Sequence, residues 1–185
     1  MAQNRVFGYR AQTRSMMIRY TVVFGAVLLL GAILQVSLFG RLRFFGAVPD
    51  LMLCMVLAFA VLCGRYAGAI TGIGAGFLIE AIGSTGISLL PVFYLLCGYV
   101  AGSFSSGETR GRSYPMYLLW LLCGLCLRAG MTVTYAALTY RYIRLPEILL
   151  YEVLPEAGIT AIAGLVCYFP VCAVCRRLKK RKGQI

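Results

Sequence analysis

Four charged side chains lie inside or at the ends of long apolar segments, where an isolated charge is costly. Arg128 falls near the middle of one segment, and Asp50, Glu80 and Glu156 fall roughly within a turn of the ends of others. A charge at the centre of a bilayer normally faces the protein interior with a partner. Because the arginine side chain is long, we expect Arg128 to reach Glu156 or Glu80. The acids themselves are either hydrated segment ends or functional groups.

The cysteines are the other residues that invite a chemical reading, since the chain has eight cysteines and no histidine. Cys123/Cys126 and Cys172/Cys175 both have C-x-x-C spacing, and two such pairs are typical of a zinc site. One pair lies within an apolar segment and the other at the end of a different one, so we expect that they do not meet. Cysteine also packs as a small apolar residue. We find no catalytic arrangement, and therefore predict a non-enzymatic chain without cofactor or metal.

Small residues recur every four positions along the third apolar segment, and this spacing places them on one helix face. In lipid such faces allow close backbone approach between helices. We therefore expect a central, tightly packed third helix, used for bundle packing rather than as a substrate groove. The fourth segment carries a weaker version of the pattern. The packing candidates are Gly64, Gly68, Gly72, Gly76, Gly98 and Gly102.

The amino-acid composition indicates which kind of helix contains these residues. Of the 185 residues, 61% are hydrophobic and 13% are charged, and the mean hydropathy is +0.83. Soluble domains carry about 25% charged residues. We predict one all-α integral membrane domain, a six-transmembrane-helix bundle, with Pro49 in the first turn of the second span. The residues 146–154 are either interfacial or part of the last span, and Pro155 either kinks or starts a helix. The expected spans are 20–39, 47–63, 66–82, 87–104, 114–140 and 149–174, between basic tails 1–19 and 176–185.

The distribution of Lys and Arg predicts the orientation. Six spans put both termini on one side, which then carries 13 of the 18 basic residues, against four on the other side. Both termini are therefore expected in the cytoplasm. The acids lie mostly at the opposite side: Asp50, Glu80, Glu147, Glu152 and Glu156. We attribute the net charge of +12 to a fringe against anionic lipid, and expect no nucleic-acid binding.

An ordered set of features then resembles a known family over nearly the whole chain, from about residue 20 to 182, and most closely over 48–102. The third segment ends in an acid after its glycines, and a basic tail follows the last span. Glutamate stands at position 80 where the family more often has aspartate. The features are Gln35, Pro49-Asp50-Leu51, Gly72 to Glu80, Gly83-Ser84-Thr85-Gly86, Gly98-Tyr99, Pro146-Glu147 and Pro155. The set resembles the rod shape-determining protein MreD family.

This resemblance implies a non-catalytic scaffold of the bacterial cell-elongation complex, in the plasma membrane. The implied partners are an MreC-like bitopic protein and, indirectly, an MreB-like filament, a RodA-like glycosyltransferase and a class B penicillin-binding protein. The partner-binding candidates are Asp50, Glu80, Arg128, Glu147, Glu152 and Glu156. The alternative is the substrate-binding subunit of an energy-coupling-factor vitamin transporter, whose six-span architecture the resemblance to the MreD family also implies. In that case the outer acids and Arg128 would line a pocket.

Overall fold

The computed structural model describes residues 22–39, 49–83, 89–105, 113–139 and 153–180, and every regular element within these ranges is a helix. Helix α1 covers residues 22–34 and continues as a π-helical turn at Gln35–Phe39. The prediction of an all-α chain is confirmed for these residues. The remaining helices are α2 (Leu51–Cys63), α3 (Arg65–Gly83), α4 (Leu90–Ser105), α5 (Ser113–Thr139) and α6 (Leu154–Lys180).

Some predicted features lie outside the described residues. They include the basic tail 1–19, the acidic candidates Glu147 and Glu152, and the end of the basic tail beyond residue 180. Helix α6 itself continues into that tail as far as Lys180.

Helix α2 is the central element. All of its residues are apolar, so each of its faces can be buried. It contacts α3, α4, α5 and α6, and the ring of Phe59 lies 4.5 Å from that of Phe24 on α1. The expectation that the third helix is central is therefore wrong: α3 exposes Ile70 and Phe77 on its outer face. The spacing of small residues identified a close contact, but it could not identify the centre.

Helices α3 and α4 meet along a glycine seam formed by Gly68, Gly72 and Gly76 of α3 and by Gly98 and Gly102 of α4. A Cβ added at Gly72 would lie 2.3 Å from the carbonyl oxygen of Tyr94, and one added at Gly98 would lie 2.2 Å from that of Gly68. Backbone therefore packs directly on backbone, which only glycine permits. Gly64 has a different role from the packing role predicted for it: it ends α2 with a φ of 95°, and an added Cβ would have no atom within 4 Å.

Among the described residues, two helices are long and apolar enough to cross a membrane, by length and composition: Tyr114–Thr134 within α5 and Leu154–Arg176 within α6. The apolar helices Val22–Ser37, Leu51–Cys63 and Leu90–Ser105 are shorter. At 1.5 Å per residue, α2 is about 20 Å long, less than the roughly 30 Å of a hydrocarbon core.

Two helix starts refine the predicted boundaries. Pro49 was expected in the first helical turn, but α2 begins at Leu51 and Pro49 precedes the capping residue Asp50. The reason is that the Asp50 carboxylate accepts a hydrogen bond from the Leu53 amide, which defines the helix end there. Pro155 is the second residue of α6, and the π-helical residue Val153 precedes that helix.

Candidate functional site

A cluster of polar side chains surrounds the N-terminus of α2, and we call it the Asp50 cluster. Its members come from four helices: Asp50 before α2, Tyr94 on α4, Arg128 on α5, and Glu156 and Thr160 on α6. Only 3% of Asp50 is exposed. The alternative of a hydrated segment end is therefore wrong for this acid, and Asp50 is not available to a partner chain at the surface.

Asp50 is held by hydrogen bonds from three directions. Its Oδ1 accepts from the Leu53 amide at 3.0 Å, as an N-cap does. The hydroxyl of Tyr94 lies 2.8 Å from Oδ1 and 2.7 Å from Oδ2, and donates its proton to the carboxylate. The backbone N–H of Asp50 donates to Oγ1 of Thr160 at 3.0 Å. One residue thereby joins α2, α4 and α6.

Arg128 adds the fourth helix through two ion pairs. Its Nε lies 3.7 Å from Oδ2 of Asp50 and 3.5 Å from Oε1 of Glu156. The Arg128 and Glu156 side chains are 27% and 21% exposed, so the pairs are largely shielded from solvent. A shielded charge is tolerated when an opposite charge lies beside it. Arg128 therefore neutralises a buried carboxylate and connects α5 to α6.

Further hydrogen bonds near the cluster connect α2 to α1 and to α6, and α5 to α6. Oε1 of Gln35 accepts from the Met52 amide at 3.2 Å, which satisfies a second amide in the first turn of α2. Sγ of Cys54 donates to the carbonyl of Thr160 at 3.6 Å. The Tyr117 hydroxyl donates to the Gly164 carbonyl at 2.9 Å, so that α5 is also bonded to α6.

A small cavity adjoins the cluster between α5 and α6. Its volume is about 10 Å³, which is roughly the space that one water molecule requires. The guanidinium of Arg128 contacts both carboxylates, and the Asp50 carboxylate also accepts from the Leu53 amide, so these groups connect α2, α5 and α6. The cavity is lined by Asp50, Leu125, Arg128, Ala129, Val153, Glu156, Ala157 and Thr160.

The structure brings together three of the predicted candidates: Asp50, Arg128 and Glu156. Of the two partners proposed for Arg128, it places Glu156 at the guanidinium, while Asp50 was not anticipated there. Glu80 lies apart on α3, half-buried, and its Oε1 has no hydrogen-bond partner among the described residues.

Two members of the cluster were missed from the sequence. Tyr94 and Thr160 each stand in an apolar run, and a single hydroxyl there is compatible with a bond to its own helix. The residue type alone therefore does not predict a hydrogen bond to another helix. Their distances to Asp50 are the information that only the structure supplies.

Comparisons with models of known protein families, with curated proteins and with solved structures found no match to this chain.

Proposed function

We propose that this chain is a multi-pass protein of the bacterial plasma membrane and a non-catalytic scaffold of the cell-elongation complex, as its resemblance to the MreD family implies. In this proposal it holds an MreC-like bitopic protein, and through it acts with an MreB-like filament, a RodA-like glycosyltransferase and a class B penicillin-binding protein. Its contribution is to organise lateral peptidoglycan synthesis.

The observation that carries the membrane proposal is the placement of charge relative to apolar surface. Asp50 is 3% exposed, whereas Phe77 is 60%, Leu122 is 65% and Phe169 is 65% exposed. These three large side chains lie on three different helices. In water such an arrangement would leave extended apolar area in contact with solvent. In lipid it is favourable, because outward apolar groups face acyl chains and charges pair inside the protein.

The proposed scaffold role is supported by the contacts of the residues on which the resemblance to the MreD family rests. Gln35 and Asp50 satisfy amides at the start of α2, and Gly72 and Gly76 bring α3 onto the backbone of α4. These residues connect helices of the chain to one another, as a scaffold of fixed shape requires. The cavity at the Asp50 cluster is about 10 Å³, far too small for a vitamin, so it lends no support to the transporter alternative.

We place the bitopic partner against α5 in this proposal. Only 22% of the span Tyr114–Thr134 is buried within the chain, compared with 33% of Leu154–Arg176. Of these two long apolar spans, the one in α5 therefore leaves the larger face available for a second transmembrane segment.

Co-purification from bacterial membranes tests the proposal. The tagged chain is expressed with an MreC-like bitopic protein and, in parallel, with an unrelated single-pass protein of similar length. We expect the first and not the second to be retained in mild detergent. Equal retention of both, or of neither, would contradict the scaffold role. Reporters fused to each terminus test the topology separately, and reporters that place the two termini on different sides of the membrane would contradict the even number of spans.

A matched pair of glycine variants locates the contact. A Cβ added at Gly130 of α5 or at Gly25 of α1 would have no atom within 4 Å, so the first carbon of a side chain is accommodated at either position. We expect Gly130→Leu to reduce retention of the bitopic partner and Gly25→Leu to leave it intact. The reverse pattern would place the partner on α1.

A further inference from the structure

Two cysteines that are distant in the sequence meet at the ends of α2 and α6. Cys63 is the last residue of α2, and Cys175 lies near the end of α6. Their sulfur atoms are 3.3 Å apart although 112 positions separate them in the chain. Cys63 and Cys175 are not members of the same C-x-x-C pair, so the spacing of the cysteines does not predict this contact.

The two thiols differ in accessibility. Cys63 is half-buried, whereas Cys175 is 2% exposed. A disulfide requires a sulfur–sulfur distance of about 2.05 Å, so the sulfur atoms would have to approach by roughly 1.3 Å. Since each lies on a separate helix, the bond would join α2 to α6 covalently.

We propose that Cys63 and Cys175 are a modification site, at which hydrogen peroxide forms a reversible disulfide between α2 and α6. This inference does not depend on the scaffold role. In the topology proposed above, the pair lies at the cytoplasmic end of both helices, where thiols are kept reduced. The dithiol is then the resting form, and the disulfide forms under oxidative stress.

The chemistry proceeds in two steps. The more accessible Cys63 thiolate attacks one peroxide oxygen, the O–O bond breaks, and hydroxide leaves to give a sulfenic acid. The Cys175 thiolate then attacks the Cys63 sulfur, the S–S bond forms, the S–O bond breaks, and the oxygen leaves as water after protonation. Two thiols lose two electrons in total, and one peroxide becomes two waters.

The resulting bond would add a covalent link where α6 already packs against α2. At the opposite end of α2, Thr160 accepts a hydrogen bond from Asp50, and Cys54 donates to the Thr160 carbonyl. The disulfide would therefore fix both ends of one helix–helix contact, so that α6 could no longer separate from α2 at its C-terminal part.

Counting reactive thiols in the full-length chain tests the proposal. Membranes containing the protein are treated with hydrogen peroxide, denatured, and labelled with a maleimide of high mass. The untreated chain has eight cysteines, and we expect the treated chain to lose two labels and to regain them after dithiothreitol. Digestion and mass spectrometry should identify a linkage between Cys63 and Cys175. Loss of no label, or a linkage between other cysteines, would overturn the proposal.

Serine variants provide matched controls. Cys63→Ser and Cys175→Ser each remove one label at the outset, and peroxide should then remove no further pair. Cys172→Ser alters a buried cysteine one turn before Cys175, and it should still lose two labels on oxidation. Loss of two labels from the Cys63→Ser variant on oxidation would contradict the assigned pair. A Cys172→Ser variant that loses no label on oxidation would contradict it as well. Alanine replaces serine at any position where serine prevents accumulation of the protein.

Discussion

Replacing Gly72 by alanine is the strictest test of the glycine seam. An added Cβ at this position would lie 2.3 Å from the carbonyl oxygen of Tyr94, 2.7 Å from its carbonyl carbon and 2.9 Å from the amide nitrogen of Leu95. All three obstructing atoms belong to the backbone of α4, so no rotation of a side chain can relieve the contact. The two helices must instead separate, by about 1 Å if contacts of ordinary length are to be restored.

The magnitude follows from two opposing effects. Overpacking typically costs 1–3 kcal/mol, and we take about 3 kcal/mol because rigid backbone resists the change. Alanine is favoured over glycine within a helix by roughly 0.5–1 kcal/mol. The net loss in the free energy of unfolding is therefore about 2 kcal/mol, which lowers the folded-to-unfolded ratio about 30-fold. In a chain of this size the midpoint of thermal unfolding should fall by roughly 4–8 °C.

Gly74 supplies the matched control on the same helix. The nearest atom to a Cβ added there is Cδ1 of Leu28, at an ordinary contact distance of 3.8 Å. We expect Gly74→Ala to match the parent chain or to be more stable by up to about 1 kcal/mol. Thermal unfolding of both variants in detergent, followed by size-exclusion chromatography, measures the difference. Equal midpoints for Gly72→Ala and Gly74→Ala would refute the inferred backbone contact between α3 and α4.

Three further predictions concern the Asp50 cluster, each measured as a loss in the free energy of unfolding. Tyr94→Phe removes a hydrogen bond to a carboxylate and should cost about 1.5–3 kcal/mol. Thr160→Val leaves the buried N–H of Asp50 without its acceptor and should cost about 1–3 kcal/mol. Arg128→Leu leaves the Asp50 and Glu156 carboxylates without their shared cation and should cost about 3–5 kcal/mol, of which adding Glu156→Gln should recover a part.

Controls for these variants come from a tyrosine and a threonine whose hydroxyl groups bond to neutral backbone carbonyls elsewhere in the chain. The Tyr117 hydroxyl donates to a neutral carbonyl, so Tyr117→Phe should cost only about 1 kcal/mol. Thr134 is exposed and bonds within its own helix, so Thr134→Val should change stability by less than about 0.5 kcal/mol. A Tyr94→Phe variant no weaker than Tyr117→Phe would contradict the charged hydrogen bond. Strict additivity of Arg128→Leu and Glu156→Gln would contradict their ion pair.

The class of the fold and the need for a partner at Arg128 could be predicted from the sequence. Long apolar segments predict helices, and a charge in their midst requires an opposite charge. Glu156 was among the candidates because it stands at the start of the last helix. Asp50 was not proposed as a partner, since residues 50 and 128 are connected only by the way α2 packs against α5, which no local pattern encodes.

The position of α2 and the contact between Cys63 and Cys175 could not be predicted, for a related reason. Every face of α2 is apolar, so periodicity cannot distinguish an inward from an outward face. Helix α3 has the regular small residues, and these indicated a close contact, but a close contact forms equally well at the edge of a bundle. Which helix end adjoins which is decided by the whole set of packing contacts, and the two sulfur atoms meet as a consequence.

The polar cluster follows from the shortness of α2. A helix of about 20 Å ends inside the protein, so the amides of its first turn cannot be satisfied by water. Gln35 and Asp50 supply the acceptors. The acid introduces a buried negative charge, which requires a cation, and Arg128 from α5 provides it. The arginine in turn extends to Glu156 on α6. A backbone requirement at one helix end thus accounts for a charged contact among helices that the apolar surfaces alone would not orient.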